Sequence, residues 1–186
     1  TSSNIPIARG LKSSSAAGNA VALATVAALN KKLDDVKIVK LGVDGAIDAK
    51  VTITGAFDDA CASYFGGVAV TDNLKRRIVK RFEITEDLAV LFYVPAKKAY
   101  TASSDVGRMK GVASLVKIAY KEALKGNYWT ALTLNGLIYS SALEYNPSIA
   151  VDALMSGALA AGLSGTGPAV TAIVSEEKKD IVRDAL

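Results

Sequence analysis

Residues 6–17 combine a glycine, a lysine and three serines with the start of a long apolar segment. A glycine loop that runs into the first turn of a helix leaves backbone N–H groups unpaired at the positive end of the helix dipole, and both features attract an anion. Serine hydroxyls can contact phosphate oxygens or Mg²⁺, and the ammonium group of Lys12 can reach a polyphosphate. The segment is not a Walker loop, because Leu11 rather than glycine precedes Lys12. A phosphate site and an ordinary serine-capped helix both remain open.

A second small-residue loop occupies residues 163–170 and contains Gly165, Thr166 and Gly167. It resembles part of a dinucleotide-binding fingerprint, but Val170 stands where the third glycine belongs. We also expect this loop to follow a helix and open a strand, which reverses the order in a Rossmann fold, so we reject that interpretation. A tight Gly-Thr-Gly turn can still bring backbone amides close to a phosphate, and a simple helix-to-strand turn is the alternative.

Two adjacent carboxylates, Asp58 and Asp59, stand among apolar residues. A buried carboxylate is costly unless it is paired, so at least one of the two should face a site or a cation. A general base or a metal ligand fits that position. The alternative is a helix N-cap, a role that suits Asp58.

Composition excludes several kinds of chemistry. The chain has no histidine, which rules out Ser-His-Asp and Cys-His catalysis and metal sites with histidine ligands. Cys61 is the single cysteine, so no disulfide can form within the chain, and this favours a reducing, cytoplasmic compartment. We expect no membrane span, because no apolar run of sufficient length occurs. The net charge of +4 and basic runs without interleaved aromatic residues fit a small anionic substrate and argue against a nucleic-acid partner.

The pattern of apolar residues and turn signals predicts an α+β fold in which helices and strands are segregated. We expect the first helix to be buried because it is apolar nearly all round. Residues 36–41 fit a helix and a strand equally well, and we expect the glycines at 42–45 to end that segment. The final helix should be capped by Ser175. The predicted helices cover residues 16–33, 56–65, 104–125, 128–144 and 148–161, and the predicted strands cover residues 68–71, 78–84, 88–94 and 169–174.

Together the three segments resemble the GHMP kinase superfamily, named for galacto-, homoserine, mevalonate and phosphomevalonate kinases. Its central motif has the form Pro-x-x-x-Gly-Leu-Gly-Ser-Ser-Ala-Ala; here Lys12 replaces the second glycine, and Ser15 is an inserted or substituting serine. The form of residues 9–20, with residues 55–60 and 164–169, is similar to the archaeal shikimate kinase branch. The motif residues that match are Pro6, Gly10, Leu11, Ser13, Ser14, Ala16 and Ala17.

The resemblance implies a GHMP kinase fold with two domains. Residues 1–85 would be the remainder of an N-terminal ATP-binding domain, similar to domain 2 of ribosomal protein S5. Residues 86–186 would be a ferredoxin-like C-terminal domain that is truncated at its end. The N-terminal strand and loop of the family's first motif have no counterpart in the sequence. We therefore expect the chain to be part of a longer protein.

The resemblance also implies roles for individual residues. Asp59 would be the catalytic carboxylate, since it lies seven residues before Gly66 of a Gly-Gly pair, and Asp58 is the alternative. Lys12 would neutralise the negative charge that develops during the transfer. Ser14 (or Ser15) would bind Mg²⁺ with Asp48, which lies eleven residues before Asp59. The residues implied to contact ATP are Arg9, Gly10, Leu11, Lys12, Ser13, Ser14, Ser15, Ala16, Gly165, Thr166 and Gly167.

The implied reaction is phosphorylation of the shikimate 3-hydroxyl by ATP with Mg²⁺, a step of aromatic amino acid biosynthesis. Shikimate is a carboxylate, so a cation should bind it, and Arg9, Lys97, Lys98 and Arg108 are the candidates. The alternatives are another GHMP kinase, such as homoserine or mevalonate kinase, and a non-catalytic module with this fold. A homo-oligomer is left open.

Overall fold

The computed structural model describes residues 2–52, 54–96 and 104–186. These residues form two compact units. The first unit holds described residues 2–7, 12–52 and 54–84, and the second holds 8–11, 85–96 and 104–186. The change of unit between residues 84 and 85 lies beside the predicted domain boundary, but residues 8–11 belong with the second unit. The assignment of the two halves to kinase domains stays a prediction.

The first unit consists of three helices and a β-hairpin. Its core is formed where α2 and α3 bury Val39, Val43 and Phe57 against each other and against the hairpin. The strands pair antiparallel with a bulge after Val70. The elements are α1 (Ser13–Ala28), α2 (Asp35–Asp48), α3 (Phe57–Phe65), β1 (Val68–Asp72) and β2 (Arg77–Phe82).

Helix α1 differs from the prediction in its bounds and in its burial. It begins at Ser13, because Lys12 adopts a left-handed conformation (φ 62°) and serves as the N-cap. It ends at Ala28 rather than residue 33, because Asn30 adopts φ 51° and the N–H of Lys31 donates to the Val26 carbonyl at 3.0 Å. The expectation of a fully buried helix is wrong: Val21, for example, is 53% exposed, and only a narrow stripe of the helix is buried.

The glycines of α2 do not break the helix, contrary to expectation. Residues 35–48 are continuously helical, with Asp34 capping the first turn through the Lys37 N–H. Gly42 lies directly against Gly18 of α1, and a Cβ on Gly18 would lie 2.9 Å from the Gly42 carbonyl oxygen. The paired glycines therefore allow two helix backbones to approach closely, which outweighs their low helix propensity.

The second unit places helices around a three-stranded antiparallel sheet of order β3-β5-β4. Small residues of α7, β4 and β5, including Ala150, Ala161 and Ala172, form its core. The elements are β3 (Leu88–Tyr93), α4 (Val106–Gly111), α5 (Ala113–Lys125), α6 (Tyr128–Ala142), α7 (Ser148–Met155), β4 (Ala160–Leu163), β5 (Val170–Ser175), a 3₁₀ turn (Glu176–Lys178) and α8 (Lys179–Ala185).

Three predicted elements of the second unit need correction. The helix expected over 104–125 is two helices that meet at Val112. The helix expected over 148–161 ends at Met155, because Gly157 adopts φ 103° and the chain continues into strand β4. Ser175 precedes a 3₁₀ turn, and its side chain makes no capping hydrogen bond. No helix within the described ranges is long and apolar enough to span a bilayer.

Candidate active site

Lys12 and Asp59 form an ion pair in the first unit. The Lys12 Nζ lies 3.1 Å from Asp59 Oδ1, and the two side chains are 30% and 23% exposed. Lys12 is the left-handed N-cap residue of α1. Ala56 (φ 47°) is the N-cap residue of α3, and Asp59 lies in the first turn of α3. The structure therefore brings together the lysine of the first motif and a carboxylate of the Asp58-Asp59 pair, and the catalytic roles of both residues stay predictions.

The surroundings of Asp59 favour the protonated form of its carboxyl group more strongly than bulk water does. Burial, the largest influence, raises the pKa of the Asp59 carboxyl to about 6; the Lys12 ammonium lowers that pKa, and the Asp58 charge raises it. A carboxylate with a pKa near 6 is ionised at neutral pH, but it is a stronger base than an ordinary aspartate. Such a group is suited to accept a proton from a hydroxyl.

Asp58 is directed to a different partner. Its carboxylate accepts from Asn73 Nδ2 at 2.8 Å, while its backbone N–H donates to Asn73 Oδ1 at 3.1 Å. Asn73 lies in the β1–β2 turn, so this two-way contact ties α3 to the hairpin. The suggestion that Asp58 is the N-cap is wrong, because Ala56 holds that position. The environments of the two carboxylates favour Asp59 as the reactive one, and that choice stays a prediction.

The first turn of α1 offers donors for an anion. The N-cap is a lysine, whose side chain cannot accept a hydrogen bond, and the first turn contains no acidic residue. The first intrahelical bond runs from the Ala16 N–H to the Lys12 carbonyl at 3.1 Å, so the N–H groups of the serines precede the helical ladder. Ser14 is exposed and Ser15 is buried. This end of α1 is electrostatically suited to a phosphate.

In the second unit, the segment 8–11 lies against the glycine loop. The Ala169 N–H donates to the Arg9 carbonyl at 3.0 Å, and Ser164 Oγ donates to the Gly10 carbonyl at 2.7 Å. Gly10 has φ 81°, and a Cβ there would lie 2.7 Å from the Ser164 carbonyl oxygen and 2.8 Å from that of Gly167. Only glycine fits this approach, so two of the three sequence motifs meet at Gly10.

The glycine loop joins two strands, not a helix and a strand as expected. It connects β4 to β5 in an antiparallel hairpin, closed by the Ser164 N–H donating to the Ala169 carbonyl at 2.8 Å. Gly165 and Gly167 both have positive φ, and Gly165 is exposed at the tip. The ring of Tyr145 lies behind Gly167, where it would contact an added Cβ at 2.8 Å. Sequence reasoning did not find Tyr145, because no local pattern marks a contact between distant segments.

Similarity to known proteins agrees with the arrangement of the motifs. Residues 1–67 match the family model described as the GHMP kinases N terminal domain. The chain is 47% identical to a shikimate kinase of Methanothermobacter thermautotrophicus and 49% identical to one of Methanothrix thermoacetophila, in both cases over 100% of its own length. Residues 1–67 therefore belong to the GHMP kinase N-terminal domain family.

Two further relationships bear on the fold and on coverage. A shikimate kinase of Pyrococcus furiosus is 49% identical over 95% of the chain. The crystal structure of homoserine kinase from Cytophaga hutchinsonii superposes with a TM-score of 0.68 at 19% identity, covering 98% of the chain and 62% of that protein, which confirms the α+β kinase fold. The chain spans 64–65% of the length of the three shikimate kinases, just under two thirds.

Of the four cations predicted to hold the substrate carboxylate, the two that the structure describes have protein partners. Arg9 Nη1 donates to the carbonyl of Pro95, which lies two residues after the end of β3. Arg108 donates through Nε to the Ala142 carbonyl at 2.6 Å and pairs with Glu144 at 2.8 Å. Lys97 and Lys98 lie outside the described residues. These contacts of Arg9 and Arg108 join them to backbone carbonyls and to Glu144, and no contact of either residue indicates a substrate.

The predicted metal ligands lie in the first unit. Gly18 packs against Gly42 across a helix pair with a short connection, so Ser14 and Asp48 lie toward the same end of that pair. Both residues are exposed, and a hydroxyl and a carboxylate are oxygen donors of the kind that Mg²⁺ prefers. Within residues 2–52, 54–96 and 104–186, no group of three or more acidic, histidine or cysteine side chains forms a metal cluster. The donor set suits an ion that retains water or phosphate ligands.

Proposed function

We propose that the protein transfers the γ-phosphoryl group of ATP to the 3-hydroxyl of shikimate. The observation that carries this proposal is the 47–49% identity to archaeal shikimate kinases over at least 95% of the chain. The Lys12–Asp59 pair supports it independently, because a carboxylate of raised pKa beside a cation suits hydroxyl activation. A cytoplasmic location is part of the proposal, consistent with the buried free thiol of Cys61.

Asp59 accepts the hydroxyl proton in the proposed mechanism. The acceptor oxygen forms a bond to the γ-phosphorus, the bond from that phosphorus to the β–γ bridging oxygen breaks, and ADP leaves with the electron pair. The released proton passes to the Asp59 carboxylate. Lys12 lies 3.1 Å from the same carboxylate, so it keeps Asp59 ionised before the transfer and opposes negative charge that develops beside it.

The phosphates of ATP are proposed to bind along residues 9–16 and 165–167. Support comes from the uncapped first turn of α1 and from the positive-φ glycines of the loop, Gly165 and Gly167. Ser14 and Asp48 are proposed to hold Mg²⁺, which when bound supplies charge neutralisation to the phosphates. The position of Ser14 in that first turn, with its hydroxyl exposed, is compatible with this role.

The experiment that tests the function is a coupled ATP assay of the purified protein with shikimate, homoserine and mevalonate as acceptors. We expect turnover with shikimate alone. Phosphorylation of homoserine or mevalonate instead would overturn the choice of substrate. ATP binding with no turnover of any acceptor would instead support the non-catalytic module.

The role of Asp59 has its own test, with Asp58→Asn as the matched neighbour. Asp59→Asn should lower kcat by about 10²- to 10⁴-fold, the usual contribution of a general base, with ATP affinity nearly unchanged. Asp58→Asn should have a much smaller effect on kcat, because its carboxylate contacts Asn73. The opposite ranking of the two variants would move the catalytic role to Asp58.

A further inference from the structure

Asn19 is a polar side chain buried in the interior of the first unit. It is 6% exposed and lies on the buried stripe of α1 with Ser15 and Val26. Its Nδ2 donates to the Ala60 carbonyl of α3 at 2.9 Å. Its Oδ1 is buried without a hydrogen-bond partner among the described residues. Burying an amide oxygen without a partner is unfavourable, so apolar packing alone does not account for an asparagine here.

The hydrogen bond of Asn19 and the ion pair of Lys12 join the same two helices. Asn19 lies seven residues, or about two helical turns, after Lys12, which returns it to nearly the same face of α1. Their partners, Ala60 and Asp59, are consecutive residues of α3. Two connections about 10 Å apart along α1 restrict both the sliding and the rotation of α3 against it.

We propose that Asn19 is a positioning residue that fixes the first turn of α3 against α1, so that the Asp59 carboxylate stays beside Lys12. The Lys12 side chain is long and flexible, and one ion pair would not by itself define the orientation of α3. The Asn19 bond is buried, has an ordinary length of 2.9 Å and is directed at a backbone atom of the residue next to Asp59. The inference rests on the proposed function in assigning the proton transfer to Asp59.

The test measures how strongly Lys12 and Asp59 interact when Asn19 is replaced. Lys12→Met is introduced into the wild type, into Asn19→Leu and into Asn19→Ala, and the pKa of Asp59 is followed by NMR titration of its side-chain carbon. The two replacements differ in volume, so an unfolded result for one leaves the other to be measured. Thr25→Val is the matched control, because Thr25 Oγ1 donates to the Val21 carbonyl within its own helix at 2.8 Å.

In the wild type and in Thr25→Val, Lys12→Met should raise the pKa of Asp59 by about 1–3 units, the usual effect of losing an adjacent cation. In the Asn19 variants, Lys12→Met should raise the pKa of Asp59 by less than about half of the shift seen in the wild type. The kcat of the Asn19 variants should be roughly tenfold to a hundredfold lower than that of the wild type, while the KM for ATP changes little. An equal pKa shift in all backgrounds would overturn the proposal, as would unchanged kcat in both Asn19 variants that fold.

The NMR measurement needs neither ATP nor shikimate, so it separates the inference from the proposed function. If Asp59→Asn keeps full activity, the proposed proton acceptor is wrong, whatever the titrations show. If Asp59→Asn is inactive and the Asn19 variants keep the full Lys12–Asp59 interaction, the positioning role alone is wrong.

Discussion

Ionised Asp59 should destabilise the first unit at neutral pH, so replacing it should increase stability while it removes activity. The pKa of Asp59 is raised from its ordinary value of 3.8 to about 6, mainly by burial. Each pKa unit corresponds to about 1.4 kcal/mol, so the ionised carboxylate disfavours the folded state by roughly 3 kcal/mol. Since the side chain is still 23% exposed, solvent screening places the expected effect nearer to about 2 kcal/mol.

The sign of the pH dependence follows from the direction of the shift. A folded-state pKa above the unfolded value means that the folded protein binds more protons between about pH 4 and pH 6. The contribution of Asp59 to stability is therefore fully present below the unfolded pKa and is lost as the pH rises through the folded pKa. Asp59→Asn does not titrate, so its stability relative to the wild type should rise by about 2–3 kcal/mol between pH 3.5 and pH 7.5.

Native-state hydrogen exchange of the core amides of α2 and α3 measures this difference. The single tryptophan, Trp129, lies on α6 in the second unit, so its fluorescence does not report on the first. Other titrating groups occur in both proteins and cancel in the difference. Lys12→Met should move the upper end of the pH window higher, because Lys12 lowers the pKa of Asp59. A stability difference that is flat with pH, or that falls as pH rises, would refute the reasoning.

Two glycine substitutions should destabilise the second unit, as measured by thermal unfolding followed through Trp129 fluorescence. Gly10→Ala should lower the free energy of unfolding by about 2–4 kcal/mol, because the residue has φ 81° and the new Cβ meets backbone oxygens that no side-chain rotation can move. Gly136→Ala should cost about 1–3 kcal/mol or more, because its Cβ would lie 2.4 Å from the Cα of Gly162. The control is Gly111→Ala at the end of α4 in the same unit, where an added Cβ would meet nothing within 4 Å and the unfolding temperature should be unchanged or slightly higher. Unfolding temperatures for Gly10→Ala and Gly136→Ala equal to the wild type would contradict both expectations.

Features encoded within a few residues could be predicted from the sequence. The sequence predicts helix α3 to within one residue, because its apolar pattern is followed directly by Gly66 and Gly67. The glycine loop at 165–167 was found for the same local reason. The two loops and the Asp58-Asp59 pair could be grouped only through the family resemblance, since periodicity does not indicate which distant segments meet.

Features set by tertiary contacts could not be predicted. The glycines of α2 suggested a break, but Gly42 faces Gly18 of another helix, and that contact has no local signal. Strand β4 has the sequence Ala-Ala-Gly-Leu, which is short and rich in small residues and therefore fits the end of a helix as well as a strand. Likewise, nothing beside Asp58 in sequence indicates that Asn73 is its partner.

The motif at residues 6–17 is divided between the two compact units, since residues 8–11 belong to the second unit and residues 12–17 to the first. Gly10 is held by Ser164 in the second unit, while Lys12, two residues later, is held by Asp59 in the first. A Walker loop lies within one unit, whereas Gly10 and Lys12 of this loop make their contacts in different units. Gly10 and Lys12 both have positive φ values, a backbone conformation that glycine adopts more readily than other residues. The lysine that replaces the family's glycine thus keeps the left-handed backbone that glycine adopts readily, and it adds a charge beside Asp59.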